Sequence, residues 1–286
     1  MKKNSPKSFF SFLFVVLIAI SSCTSLKGVH DFSSVSSKGL SQFEDIPNSF
    51  TKYCLDRCVF GSIRTFEIKR TPDCDCDVYR KADSVTMLIY HSIHGYFDGL
   101  SDLSNKDLAK YKLGALDTSL TTGTFGDIKI ETQQVDAYSA VSNILLNAVA
   151  GNYRNKKIKK YVEDANQPIQ VLLGRFQFIL QKNLEGELDF KKEKLYAFYR
   201  ELLLNPALND YEKEKASTDY YQGLSAIKVQ QQRIDIFAQS LQSIADGHQR
   251  IYNNRNKMSA KELRDSLVIY QSAITNSISK FNKLKN

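Results

Sequence analysis

The sequence predicts an all-α protein, an elongated bundle of several helices. Apolar residues recur at steps of three and four over most of the chain after Val78, as one buried helix face requires. No sustained alternation of apolar and polar residues competes with that period. The chain has 286 residues, of which 42% are hydrophobic, so it can bury a sizeable core as one elongated domain or as two.

The N-terminal segment has the composition of an export signal. Lys2, Lys3 and Lys7 precede an apolar run over residues 9–20. This run is too short to span a bilayer as a mature helix, so residues 1–22 are predicted to be a removable signal peptide. Loss of the three lysines would lower the formal charge from +8 to about +5, an excess typical of a solvated surface with both signs interspersed.

The motif Ile20-Ser21-Ser22-Cys23 ends that run and resembles the lipobox of bacterial lipoproteins. The resemblance implies cleavage before Cys23 and acylation of that cysteine, which anchors a chain stably in a membrane. Thr24 is not the aspartate that often marks inner-membrane retention, so the resemblance implies the outer membrane, with the chain facing the periplasm. An ordinary secretory signal cut nearby and an uncleaved anchor are the alternatives. Nucleic acid is not an expected partner outside the cytoplasm.

Residues 23–41 are rich in Ser and Gly and lack a sustained apolar period. That composition is typical of a linker. We therefore expect a lipidated cysteine followed by a flexible tether. Behind it we expect a helical bundle over 42–205 and a long helical hairpin over 206–286, packed on the same bundle.

Four further cysteines form two closely spaced pairs, Cys54 with Cys58 and Cys74 with Cys76. An even number of cysteines in an exported chain favours disulfides. The first pair would share one face of a helix with a rise of about 6 Å, and the second would share one side of an extended segment about 6.6 Å apart. If the chain turns back between the pairs, Cys58 bonds Cys74 and Cys54 bonds Cys76.

Two alternatives remain open for these cysteines. Four thiolates could hold a zinc ion. The segment Thr71-Pro72-Asp73 could start a helix, which would direct Cys74 and Cys76 to different faces. The spacing also resembles that of helical-hairpin proteins with twin C-x3-C motifs, but the second pair here is C-x-C, so no function follows from that resemblance.

Loops separate the helices expected before residue 206. Long helices are expected from Val78 and from Val135, a third after Pro168, and a fourth that stops at Asn205. The stretch TSLTTGTFGDIKIET, residues 118–132, is predicted to be the longest loop, with a short strand or clasp inside it.

The most regular pattern lies at the C-terminus. Apolar positions alternate steps of four and three from Tyr220 to Tyr252, and the spacing repeats from Leu263 to Phe281. Two such seams joined by NNRNKM predict an antiparallel, coiled-coil-like hairpin packed at about 20°. Gln231 and His248 fall on the first seam. We expect them to be satisfied locally or half-exposed, the alternative being a register-setting or switchable contact.

The best candidate for chemistry is YHSIHGYFD. His91, His94 and Asp98 share a helix face at i, i+3 and i+7, as metal ligands on one helix would. Because that face flanks the apolar stripe, a polar surface is expected, and a metal or small-ligand site with an enzymatic role is the alternative. The sequence contains no P-loop, dinucleotide fingerprint or nucleophile elbow, so no catalytic residue and no cofactor is predicted.

A basic cluster lies at a predicted helix end and consists of Arg154, Lys156, Lys157, Lys159 and Lys160. Such a cluster suits phosphate headgroups or an acidic partner. The alternative is a favourable interaction of these cations with a helix C-terminus, together with solvation.

These features favour a non-catalytic scaffold or adaptor in the bacterial envelope, held at a membrane by its lipid. We expect it to bind an envelope protein through its long C-terminal helices or through the loop at residues 120–132.

Overall fold

The computed structural model describes residues 26–47, 49–65, 73–105, 119–150 and 157–284. Over these ranges the chain forms eight α-helices and one short β-hairpin, which confirms the predicted all-α class. The helices are α1 (Lys27–Leu40), α2 (Phe50–Arg64), α3 (Asp77–Ser104), α4 (Thr132–Val149), α5 (Ile158–Phe178), α6 (Glu185–Leu203), α7 (Asp210–Asn253) and α8 (Lys261–Lys283). The signal peptide and Cys23 lie outside the described residues, so what the sequence predicts for them stays a prediction.

Two long helical arms form the axis of the bundle. α5 continues through a π-helical segment, Ile179–Leu184, into α6, and α7 has 44 residues, a length of about 66 Å. The arms run antiparallel. Asn166 Nδ2 donates to Gln249 Oε1 (3.3 Å) at one end, and the rings of Tyr196 and Tyr220 lie 6.4 Å apart towards the other. We call the first end, with the start of α5 and residues 254–260, the base, and the turn at 204–209 the tip.

The prediction that a helix restarts at Pro168 is wrong. Pro168 lies buried inside α5, which begins ten residues earlier at Ile158. Proline there removes one main-chain hydrogen bond. The residues on either side offset that loss, because Tyr161, Ala165 and Ile169 are all fully buried in the core.

The expected flexible tether over 23–41 is also wrong from Lys27 onwards, because this segment forms α1. α1 packs against α3, α7 and α8, and its Val29 and Phe32 are fully buried. Its serines can be buried as well, since Ser33 Oγ and Ser36 Oγ each donate to the main-chain carbonyl four residues back (2.8 Å in both cases). Residues 27–40 therefore form a helix of the core although their composition is polar.

Small residues let α1 approach its neighbours closely. A Cβ atom on Gly39 would lie 2.8 Å from Ile274 of α8, and one on Gly247 of α7 would lie 2.2 Å from the ring of Phe32. Near the start of α1, Gly28 approaches Arg264, at the beginning of α8. α1 therefore runs parallel to α8 and antiparallel to α7, and its N-terminus lies at the base.

α8 covers only the half of α7 that is nearer the base. Arg250 Nε donates to Ser266 Oγ (3.1 Å), and the Arg233 guanidinium donates to the carbonyl of Leu284 (2.8 Å). The predicted antiparallel hairpin over 206–286 is therefore present only as far along α7 as Arg233. The full-length neighbour of α7 is the α5–α6 arm. Coiled-coil packing of α7 with α8 stays a prediction.

The predicted loop at 118–132 contains an antiparallel hairpin of β1 (Gly123–Phe125) and β2 (Ile128–Ile130). Gly126, at φ +57°, supplies the turn between the strands. Ile128 and Ile130 are buried, and Asn183 Nδ2 donates to the carbonyl of Asp127 (2.8 Å). The hairpin thus closes over the π-helical segment, as the predicted clasp would.

Candidate functional site

The cysteines bond in the pairing that the spacing predicts. Cys54 is bonded to Cys76 and Cys58 to Cys74, with Cα atoms 5.9 and 6.0 Å apart. The described residues 73–76 are not helical, and α3 begins only at Asp77. With all four sulfurs in bridges, the structure contains no thiolate set for the alternative zinc site.

The two bridges hold α2, a helix with few core contacts of its own. Its buried residues are Phe50, Tyr53 and Cys54. Its first turn is held by α3, because the Asp83 carboxylate accepts from the main-chain N–H groups of Phe50 (2.8 Å) and Thr51 (3.0 Å). Covalent and capping contacts, more than apolar burial, therefore fix the position of α2.

The histidine cluster joins α3 to α1. His94 Nδ1 lies 3.0 Å from Asp98 Oδ2, and His94 Nε2 lies 3.0 Å from Ser41 Oγ. Ser37 Oγ donates to Asp98 Oδ1 and lies 3.3 Å from His94 Nε2. Burial raises the pKa of Asp98, but hydrogen bonds from His94 and Ser37 outweigh it and hold this pKa below its usual value.

The order hydroxyl, imidazole, carboxylate is the one that nucleophilic catalysis uses. Here Ser41 Oγ also donates to the main-chain carbonyl of Ser37 (3.2 Å), as serines near helix ends commonly do. The cluster forms a polar contact between α3 and the C-terminal end of α1.

The alternative metal site at His91, His94 and Asp98 is not formed. Within the described ranges, no group of three or more His, Cys, Asp or Glu side chains is arranged to hold a metal ion. His94 and Asp98 instead bind each other, Ser37 of α1 and Ser41, which directly follows α1. Burial lowers the pKa of the neighbouring His91, whose ring lies 5.0 Å from that of Tyr90.

The basic cluster lies partly outside the described residues, because Arg154 and Lys156 fall there. Lys157 precedes α5, and Lys159 and Lys160 lie in its first turn. These lysines are thus at a helix N-terminus, so the expected interaction with a helix C-terminus is wrong for them. Lys159 pairs with Glu163 (3.8 Å) and Lys160 with Asp164 (3.0 Å). All of these groups lie at the base.

The two polar residues of the α7 seam differ. Gln231 is satisfied at the surface, where its Nε2 donates to Asp189 Oδ1 (2.9 Å). His248 is fully buried, contrary to the expectation of local satisfaction or half-exposure, and its Nε2 lies 2.7 Å from the hydroxyl of Tyr96 on α3. Its Nδ1 has no hydrogen-bond partner among the described residues, and burial lowers the pKa of His248 to about 3.

The tip exposes large apolar side chains that the sequence pattern did not single out. Leu204 is 73% exposed, Tyr211 74% and Tyr221 67%. Tyr196 of α6 stands beside Tyr220 of α7 in the same region. Several tyrosines on both sides of the helix break at residues 204–209 are the signal in the sequence that could have indicated this surface.

Comparisons with known proteins give no relative. No protein-family model matches the chain, and neither a curated protein nor a solved structure is significantly similar to it. Among the helices that the structure describes, none combines the length and apolar character needed to cross a bilayer.

Proposed function

We propose that this chain is a lipid-anchored adaptor of the bacterial envelope with no catalytic role. Cys23 carries the lipid at the base, in an outer membrane and facing the periplasm, and the tip binds another envelope protein. The observation that carries the proposal is the direction of α1, because it puts the N-terminal side of the chain and the exposed tyrosines at opposite ends of one long hairpin.

The base has the features of a surface near a membrane. Leu26, the first described residue, follows the lipobox cysteine by three positions and lies there with the start of α5. Lys157 and Lys257 are exposed at this end and form no ion pair within the described ranges. Lysines beside a lipid anchor favour anionic headgroups electrostatically.

The tip has the composition of a protein-binding surface. Tyrosine is enriched at the energetic centres of interfaces because its ring buries a large area while its hydroxyl forms a hydrogen bond. Tyr211 and Tyr221 lie on α7 beyond the end of α8, and Leu204 lies in the turn that joins α6 to α7, in a surface hollow that it shares with Tyr196 and Tyr220. α7 holds this surface up to about 66 Å from the base.

Site-specific photo-crosslinking in intact cells tests the proposal. A photoreactive amino acid at Tyr211 should capture one discrete envelope protein, and loss of that product in a Tyr221→Ser background would support a shared surface. Ile269 on α8 is the matched control position, because it is 72% exposed against 74% for Tyr211. The same product from both positions, or none from Tyr211, would reject the tip as a binding surface.

The anchor is tested in the same cells by fractionation. Cys23→Ala should move the chain from the membrane fraction to the soluble fraction, whereas Cys54→Ala, which breaks a bridge in α2, should not. Retention of the Cys23→Ala chain in membranes would contradict lipid anchoring.

A further inference from the structure

A pocket of about 330 Å³ opens at the surface beside the short helical turn Ser41–Asp45, which follows α1. Its walls come from this turn, the start of α2, α3 and the π-helical segment, and they are mostly apolar. Proteins enclose benzene in cavities of about 150 Å³, and their ligand pockets begin at about 300 Å³. The pocket therefore has room for one aromatic ring with a short side arm.

The apolar part of the wall consists of side chains that leave this volume unfilled. Ile46 and Phe50 are buried, and Ile179 and Leu180 are fully buried, yet all four line the pocket. Met87 of α3 lines it as a half-buried side chain, and methionine adapts its shape to different neighbours. An apolar group in the pocket would supply the dispersion contacts that these side chains lack on one side.

The π-helical segment supplies one wall through Ile179, Leu180 and Leu184. Such segments are rare, and they occur frequently at functional sites. This one interrupts the arm of α5 and α6 at the pocket, while the arm is α-helical on either side of it. The main-chain geometry is therefore a second observation that points to this place.

The charged groups of the pocket are all acidic. Glu44 and Asp83 line it, and none of its lining residues in the described part of the chain is a lysine, an arginine or a histidine. The Asp83 carboxylate is already engaged by main-chain N–H groups of α2. Glu44 is exposed and forms no ion pair within the described ranges. A cation that enters the pocket would therefore find its acceptor in Glu44.

Tyr90 leaves the negative charge of Glu44 in place. Its hydroxyl donates to Glu44 Oε1 (2.7 Å). Burial of Tyr90, followed by the hydrogen bond to Glu44 and the charge of Glu44, raises the pKa of Tyr90, so the hydroxyl remains protonated. A neutral donor orients the carboxylate without cancelling its charge, and the carboxylate can accept further hydrogen bonds.

We propose that this pocket binds a small aromatic amine, with one ring and a short arm that ends in an ammonium group. The ring packs among Met87, Ile179 and Leu180, and the ammonium group donates to Glu44. Asp83 adds negative charge at the same pocket, so a ligand of the same shape that ends in a carboxylate is repelled.

Calorimetric titration of the purified full-length chain in nanodiscs of zwitterionic lipid tests the ligand class, with empty nanodiscs as the blank. Phenethylamine should bind. Hydrocinnamate, which has the same ring and two-methylene arm but ends in a carboxylate, should not. Absence of phenethylamine binding, or equal binding of the two ligands, would overturn the proposal.

Two substitutions test the place of binding. Glu44→Gln removes the charge but keeps an acceptor for the Tyr90 hydroxyl, so it should weaken phenethylamine binding about tenfold. Glu193→Gln is the matched control, at an exposed glutamate of α6 outside the pocket, and should leave the affinity unchanged. Met87→Trp puts a larger ring into the pocket and should abolish binding.

Circular dichroism and thermal unfolding without ligand establish that each variant is folded. Should Met87→Trp not fold, the comparison of Glu44→Gln with Glu193→Gln decides alone. An unchanged affinity of Glu44→Gln, or equal losses for both glutamate variants, would overturn the proposal, as would full binding to a folded Met87→Trp chain.

Discussion

The two halves of α7 belong to one helix yet have different environments. The half nearer the base packs against α5, α8 and α1, and it buries Phe237, Leu241, Ile244 and His248 among others. The half nearer the tip packs mainly on α6 and exposes Tyr211 and Tyr221. The same steps of three and four run through both halves.

The difference shows what an apolar period specifies. It specifies that a helix has one face suited to contact, and it leaves open whether other helices cover that face. α8 is shorter than α7, so the seam of α7 is covered by several helices in the half nearer the base and mainly by α6 in the half nearer the tip, where Ile227 is still buried. Tyr211 and Tyr221, which are exposed, lie off that seam.

The largest expected effect concerns truncation of a large side chain in each half. Phe237→Ala should lower the free energy of unfolding by about 3–5 kcal/mol, because it removes a fully buried ring and leaves a cavity. Tyr221→Ala should change it by less than about 0.5 kcal/mol, because that side chain is mostly exposed. Denaturant unfolding measures both. Similar losses for the two variants would mean that the tip half is covered.

A smaller contrast is expected for the two glycines of α7. Gly247→Ala should lower the free energy of unfolding by about 1–3 kcal/mol, because the new methyl group would lie 2.2 Å from the Phe32 ring and α1 must shift. Gly223→Ala meets only the Leu195 side chain, at 3.1 Å, so the better helix propensity of alanine should make it neutral or stabilising by up to about 1 kcal/mol. Equal destabilisation by both variants would contradict the close approach of α1.

The last contrast is a dependence on pH, to which the base half of α7 contributes through His248. Burial lowers the pKa of His248 to about 3 from an ordinary value of 6.5, so the unfolded chain binds a proton that the folded chain does not. The free energy of unfolding should therefore fall as pH decreases from about 6.5 towards 3, by at most about 1.4 kcal/mol per pH unit from this group.

Acidic groups such as Asp98, whose pKa is lowered in the folded state, also lose stabilising interactions as pH falls. His248→Gln isolates the histidine contribution, since its pH profile should be flatter than that of the natural chain by that amount. His91→Gln, at a half-buried histidine of α3, is the control and should flatten the profile less. Identical profiles for His248→Gln and the natural chain would show that His248 titrates normally.

The disulfides could be predicted because their geometry is local. Cys54 and Cys58 lie one helical turn apart, and Cys74 and Cys76 lie two residues apart in an extended segment, so one chain reversal aligns both pairs. α1 could not be predicted in the same way. Its buried face uses Gly39 and serines, which count as polar or flexible in a composition although they suit close contact between helices.

The small cavity between α2 and α6, of about 100 Å³, could not be predicted from the sequence for a different reason. Tyr53 and Glu187 are far apart in the chain, and each has an ordinary sequence context on an amphipathic helix. Only the folded arrangement of α2 on α6 brings the two side chains to one void and leaves the tyrosine hydroxyl without a partner. The partners of the histidine cluster were equally hidden from the sequence: its spacing also suits a metal, the alternative there, but Ser37 and Ser41 lie within hydrogen-bond distance of His94 in the fold.

Because α1 is packed into the bundle, the proposed adaptor would hold its tip at a limited distance from the bilayer. Leu26 follows Cys23 by three positions, so their Cα atoms lie at most about 11 Å apart. If Cys23 is acylated as proposed, the body can rise from the bilayer by no more than about that span, so the length of α7 would set most of the height at which the tip meets its partner. Removal of seven residues from each arm would lower that height by about 10 Å without altering the tyrosines.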